Sequence, residues 1–374
     1  MSLHRLLALS GLAALASLSV PTCALADAVS PAVLAAQVHE LRGLVAHNDP
    51  DAEFELGKLY DAGQGVPLDP AMAVSWWRKA AAQDHARSEY QLGLSYMSGI
   101  GIAHDYAQAA EWLRRAAVQG YLPAQLHLAD LLAASDHPGV SQNLTAAAFW
   151  YFQAARQGDR DAEDRLGNCY AQGQGLTPDS AQAVQWWRRA ARQGNVAAEY
   201  QLATSYRDGT GIKADAAQAA QWFTRAAQAG NSAAQVALAD MYREGTGIGQ
   251  DYDEASRWYG RAAARGDDTA QSRLASMYEH GEGRRTNLLL ACAWYQVVLN
   301  EADDPEHKAM TSLLDSDDND QQAGARLNTA RAAYQASYDR LAALLTPAEQ
   351  SYARTLAAAW QPGQLLSPEP LVSR

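Results

Sequence analysis

Asp179 to Asn195 reads DSAQAVQWWRRAARQGN, one helix written with its punctuation. Asp179 is an N-cap, since its carboxylate can accept hydrogen bonds from the first free backbone N–H groups. Gly194 marks the stop, because glycine takes the left-handed conformation beyond a helix end without strain. Between them Ala183, Trp186, Ala190 and Ala191 fall at helical spacing on one face, which predicts Trp186 as the aromatic anchor of that face.

The same pattern is written seven times. Its Asp-to-Trp step recurs as Asp69/Trp76, Asp105/Trp112, Asn143/Trp150, Asp179/Trp186, Asp215/Trp222, Asp251/Trp258 and Asn287/Trp294. Successive Trp residues stand 36 apart, with one interval of 38. A fixed period of this length specifies a solenoid. Upstream of each such helix lies another, on which Ala52, Leu56, Gly57 and Tyr60 share a face and recur as Ala198, Leu202, Ala203 and Tyr206. Small residues there let helices approach closely, while Leu and Tyr fill the space beside the Trp. The turn between the helices is G-x-G in six copies, from Gly63/Gly65 to Gly281/Gly283, and reads as hairpin punctuation. A phosphate loop would carry a Lys-Ser/Thr sequel, which is absent.

The combined pattern is A-x-x-x-L-G-x-x-Y-x-x-G-x-G-V, then D-x-x-x-A-x-x-W-[WFY]-x-[KR]-A-A-x-x-G-[ND]. It resembles the Sel-one-like repeat, a relative of the tetratricopeptide repeat, over residues 50 to about 301. The resemblance implies an all-α, α/α right-handed superhelical solenoid of seven repeats. It also implies a role in holding other proteins, often in bacterial envelope or signalling assemblies, and no shared catalytic residues. Two copies depart from the pattern. The third has Leu132 in place of Tyr and a turn two residues longer, AASDHPGVSQN, with Asp136 and His137 at its tip. Loop drift and a partner contact both remain open for it. The seventh replaces its Ala pair with Val298 and Leu299, which calls for a C-terminal cap as neighbour.

The chain divides into a signal peptide (1–26), an N-terminal capping helix (27–49), the repeats (50–301), an acidic linker (302–322), a C-terminal helical cap (323–362) and a flexible tail (363–374). The signal reading rests on Arg5, the apolar run Leu6 to Val20, and Ala24-Leu25-Ala26 before a cut at Asp27. A membrane anchor and a lipoprotein through Cys23 are the alternatives. The first is short for a bilayer, and Val20-Pro21-Thr22 lacks the small residues a lipobox needs. An exported, periplasmic protein is expected. In the C-terminal cap Leu327, Tyr334 and Leu341 give a docking face, and Thr346-Pro347-Ala348-Glu349 is a capping box. After cleavage Cys169 and Cys292 remain, more than three repeats apart and predicted to be buried thiols beyond disulfide reach.

A net charge of −12 with only four lysines argues against nucleic acid and anionic membrane as partners. Neither HExxH nor G-x-S-x-G occurs, and no lysine follows a serine at S-x-x-K spacing, so neither a metal, a cofactor nor a catalytic site is expected. Glu53, Glu89, Glu163 and Glu199 share one repeat position, with Gln125, Gln235 and Gln271 at its equivalents, so a structural or solvated role is expected for them. The expected function is a non-catalytic envelope adaptor, a monomer binding a protein or peptide in a superhelical groove. The alternatives are cell-wall or β-lactam binding or hydrolysis, or a dedicated regulatory subunit of a sensor or secretion system. By resemblance the first helices line the concave wall. The variable positions there are read as partner-binding: Leu94 and Met97 as an apolar anchor, Asp130 in the same row, and Arg165, Arg207 and Arg243 facing acidic groups.

Overall fold

The structure, a computed structural model, describes residues 31–283, 285–303 and 321–366. The expected signal peptide, the acidic stretch 304–320 and residues 367–374 lie outside them. Every regular element among the described residues is a helix. Helix α1 (Pro31–Val45) is followed by seven pairs: α2 (Pro50–Ala62) and α3 (Pro70–Ala81), α4 (Ala86–Ser98) and α5 (Tyr106–Val118), α6 (Leu122–Ala133) and α7 (Leu144–Arg156), α8 (Arg160–Gln172) and α9 (Ser180–Arg192), α10 (Val196–Asp208) and α11 (Ala216–Gln228), α12 (Ser232–Glu244) and α13 (Tyr252–Ala263), α14 (Asp268–His280) and α15 (Leu288–Asp303). Helices α16 (Gln321–Ala342) and α17 (Pro347–Ala359) follow. The chain forms two compact units, one ending at Trp112 and the other beginning at Leu113.

The hairpins close as their punctuation specifies. Asp179 accepts from the N–H groups of Ala181 and Gln182, and the equivalent Asp or Asn caps each of the other six second helices. Six of these seven caps also donate their own N–H to the carbonyl of the Tyr in the last turn of the first helix, as in Asp179 to Tyr170 at 2.9 Å. In the third repeat Asn143 bonds Leu132 in the same way at 2.7 Å, so the longer turn leaves the closure unaltered. At its tip His137 Nδ1 lies 3.5 Å from Asp136.

Burial overturns Trp186 and its equivalents as the general anchors. In the first five copies the repeated Trp is half-buried and the core residue is the next one: Trp77, Leu113, Tyr151, Trp187 and Phe223. Trp258 and Trp294 are buried alongside Tyr259 and Tyr295. Adjacent residues on a helix point about 100° apart, so one of them must leave the centre of the seam. Trp187 holds the centre because Ala183, Val184, Ala190 and Ala191 surround it at i−4, i−3, i+3 and i+4. Facing it, a Cβ on Gly167 would lie 2.6 Å from the Trp187 ring, and one on Gly57 would lie 2.4 Å from Trp77. In the copies with Ala203, Ala239 or Ala275 at that position, the aromatic twenty residues on is the smaller Phe223, Tyr259 or Tyr295. At Gly57 and Gly167 the indole leaves no room for a Cβ, whereas the second copy has Gly93 with the smaller Leu113 twenty residues on.

The ends are capped by packing. In α1, Val38 and Leu41 are buried against Ala52, Leu56, Leu59 and Val66, while Glu40 and Arg42 stay exposed. At the other end Val298 and Leu299 are buried, and Tyr334 meets Tyr295 with ring centroids 6.5 Å apart. Leu341 is buried, the side chain of Leu327 lies outside the described part, and the Thr346/Glu349 capping box is formed. Residues 363–366, expected to begin a loose tail, are instead docked. Gly363 donates its N–H to the Ala264 carbonyl at 2.5 Å, Trp360 Nε1 donates to the Gln364 carbonyl at 3.0 Å, and Leu366 is buried. The indole N–H needs an acceptor and the leucine needs cover, and folding back supplies both. Cys169 and Cys292 are buried free thiols; burial pushes both up, Cys292 to about 11.

Candidate functional site

The half-buried Trp residues have work of their own. Lys79 stands 3.8 Å over the Trp76 ring, and Arg189, Arg225 and Arg261 stand 4.7, 4.6 and 4.4 Å over Trp186, Trp222 and Trp258. Two of these guanidinium groups continue to a buried carboxylate: Arg189 to Glu163 at 2.8 Å and Arg225 to Glu199 at 2.7 Å. Gln125, Gln235 and Gln271 take the same position and donate instead to the carbonyls of Ala117, Ala227 and Ala263. Of the two roles open for these glutamates, the structural one is found. All four are buried, and Glu163 and Glu199 tie their first helices to the second.

A second row on the first helices is also set by packing. Tyr151 donates its O–H to Asp130 at 2.6 Å, Trp187 Nε1 donates to Asn168 at 3.2 Å, and Tyr259 O–H donates to Asp240. In these three repeats the residue in this row answers the polar atom of the buried aromatic, whereas Trp77 Nε1 donates to the Phe54 carbonyl at 3.3 Å. Where that aromatic is Phe223, Thr204 Oγ1 has no partner.

The expected partner-binding residues are distributed as follows. Leu94 and Met97 are half-buried on α4 in the first unit. Arg207 is bidentate to Asp208 at 2.7 and 3.0 Å, which holds the Asp208 carboxyl below its usual range. Arg243 Nη1 lies 3.7 Å from Glu282. Both arginines therefore already have a carboxylate within the chain. Asp130 and Arg165 are brought together, 3.9 Å apart, in a groove of about 590 Å³ laid across α6, α8 and the start of α10. Leu126, His127, Asp164 and Asn168 line it with them.

Asp164 is the residue that reading the pattern missed. Its equivalents are Phe54, Tyr90, Leu126, Tyr200, Val236 and Ser272, a column that is apolar in five of its other six members. The break in that column, visible only once the repeats are aligned, was the available signal. Asp164 is 8% exposed; its Oδ2 accepts from Asn168 Nδ2 at 3.3 Å, while Oδ1 has no partner. Burial raises its carboxyl to about 6, against the opposing pull of Arg165 and Asn168.

The sign of the stability effect follows from linkage. A carboxyl whose folded value lies above its unfolded one holds more protons when folded, so stability falls as pH rises from about 4 to about 6. Asp164→Asn removes that dependence and is expected to stabilise the protein by about 2 kcal/mol at pH 8. Urea unfolding at pH 8 and pH 4 checks this: the gain belongs at pH 8 and fades at pH 4.

On the second helices Phe149 and Phe152 are exposed, where the fourth repeat has Gln185 and Arg188. Phe149 lines a second pocket of about 560 Å³ with Trp150, Gln125 and Gln157. Among the described residues no cluster of His, Cys, Asp or Glu is placed to hold a metal ion. No described helix is long and apolar enough to cross a membrane.

The family model of the Sel1 repeat matches residues 50–85, 86–121, 122–159, 160–195, 196–231, 232–267 and 269–296. Among solved structures, c5321, a protective antigen present in uropathogenic Escherichia coli strains and displaying an SLR fold, is 30% identical. That alignment covers 86% of this chain and 71% of the other, with a TM-score of 0.68. A Sel1 repeat protein from Oxalobacter formigenes is 31% identical over 62% of this chain and 96% of its own, with a TM-score of 0.50. A curated relative from Neisseria meningitidis serogroup B, uncharacterized protein NMB1327, is 29% identical over 137 residues. This match takes in 36% of the present chain but only 20% of the Neisseria protein's length.

Proposed function

Because the chain belongs to the Sel1 repeat family, whose fold is generally a protein-interaction scaffold, we propose that it is a non-catalytic adaptor of the bacterial envelope. In this reading its first helices bind a protein or peptide. The observation that carries it is the groove over α6, α8 and α10, built by three successive first helices. Successive first helices present a continuous wall, and an extended segment laid across it meets one set of side chains per repeat. The apolar run Leu6 to Val20 and Ala24-Leu25-Ala26 support export. The description of the E. coli structural relative as a protective antigen accords with an envelope location.

Site-specific photocrosslinking in the native host tests both parts. A benzophenone side chain at Ala197, on the groove rim, is expected to give a discrete partner adduct. The same group at exposed Gln221 on α11 is expected to give none. Adducts from position 221 alone, or from neither position, overturn the groove as the binding surface. Intact mass of the same material is expected to place the mature start at Asp27 without lipid; an acylated Cys23 would overturn the soluble periplasmic form.

A further inference from the structure

Three carboxylates, Asp130, Asp161 and Asp164, face one guanidinium, Arg165, around the groove on α6, α8 and α10. One oxygen of each is committed. Asp130 Oδ1 holds the Tyr151 hydroxyl, Asp161 Oδ1 accepts from Asn195 at 2.8 Å, and Asp164 Oδ2 accepts from Asn168. Asp164 Oδ1 is left with no donor, on a side chain more than nine-tenths buried. A buried carboxylate oxygen without a donor is costly, and Asp164 stands where five other repeats place an apolar side chain. Repeat packing does not call for it.

We propose that this groove receives a lysine side chain of the partner, with Asp164 as the acceptor of its ammonium group. The inference rests on the adaptor reading and specifies the chemistry of its ligand. The net negative lining selects a cation. Asp164, the buried carboxylate of the three, has one oxygen free. A guanidinium gains most from two parallel bonds to one carboxylate, and Asn168 already occupies half of this one. An ammonium is a compact donor satisfied by one strong acceptor, with its remaining N–H groups directed to the groove. The (CH₂)₄ stem can lie along Leu126 at the groove wall.

Ionised Asp164 is the binding form, so affinity is expected to fall as pH drops through about 6. Other charged groups face the site: Asp161 and Arg165 from α8, and His127 and Asp130 from α6. The variants below remove the part due to Asp164.

The probe is a positional-scanning library of capped nonapeptides, applied to the mature chain at pH 7.5. Lysine is expected to be enriched at one position, with arginine and acetyl-lysine disfavoured there. Asp164→Asn and Asp164→Leu, both monitored for an intact thermal transition, are expected to abolish that enrichment. A selected peptide is expected to bind at least tenfold more weakly when its lysine is acetylated, and about tenfold more weakly at pH 5 than at pH 7.5. Peptides retained without a lysine preference, or one that survives in both variants, overturn the lysine assignment and leave the adaptor reading standing. If the wild-type chain retains no peptide, both fall.

Discussion

Trp187→Ala is expected to destabilise the protein by about 3–5 kcal/mol, the range for truncating a fully packed aromatic side chain. The neighbouring Trp186→Ala is expected to cost about 1–2 kcal/mol, although Trp186 is the residue that the repeat keeps. Trp187 is 7% exposed, sits among Ala183, Val184, Ala190 and Ala191, and leans on the bare backbone of Gly167. Its removal leaves a cavity that alanines and a glycine cannot collapse to fill. It also leaves Asn168 without the indole N–H it now accepts. Trp186 forfeits partial burial and the stacking of Arg189 above it, contributions of about 1 kcal/mol each. Because adjacent interfaces carry a solenoid, Trp187→Ala is also expected to raise amide exchange in α8 and α10. Chemical denaturation of the two variants decides the ranking. Equal losses, or a larger loss at Trp186, would show that the half-buried ring is the anchor.

Gly175→Ala is expected to cost about 3 kcal/mol or more, against about 1 kcal/mol for Gly158→Ala. Both residues have positive φ, +72° and +86°, so both substitutions carry the penalty of a left-handed backbone. They differ in what a methyl group would meet. At Gly158 there is nothing within 4 Å, whereas at Gly175 the new Cβ would lie 2.2 Å from the carbonyl of Leu144. Leu144 opens α7, the second helix of the preceding repeat, and its backbone cannot move without shifting that helix. Gly211 against Ser180 and Gly247 against Ala216 repeat the arrangement. The difference between the two melting temperatures isolates the close approach from the φ penalty. Similar losses would mean that the turn conformation alone requires the glycine.

That second glycine of G-x-G marks the division between what could be read and what could not. Its place in a turn is legible in the sequence, as are the helix starts at Asp179 and its equivalents, the period of the repeats, the buried free thiols and the terminal caps. Each of these rests on contacts within a few residues, such as a carboxylate reaching an N–H three positions on, or on a period that shifts all copies alike. The reason the glycine cannot change lies in another repeat, thirty-one residues away at Leu144. Burial is equally non-local. Trp186 and Trp187 are the same residue type in adjacent positions, and only the facing first helix, with Gly167 beneath one of them, decides which enters the core. Arg243 looks like a free cation along a row until folding sets Glu282, thirty-nine residues on, beside it. Asp164 looks like one more polar residue on an amphipathic helix until α6 and α10 close over it and leave one oxygen unanswered. Hydrogen bonds that close over three or four residues are fixed by residue type, whereas burial and charge pairing depend on which surfaces the chain brings together.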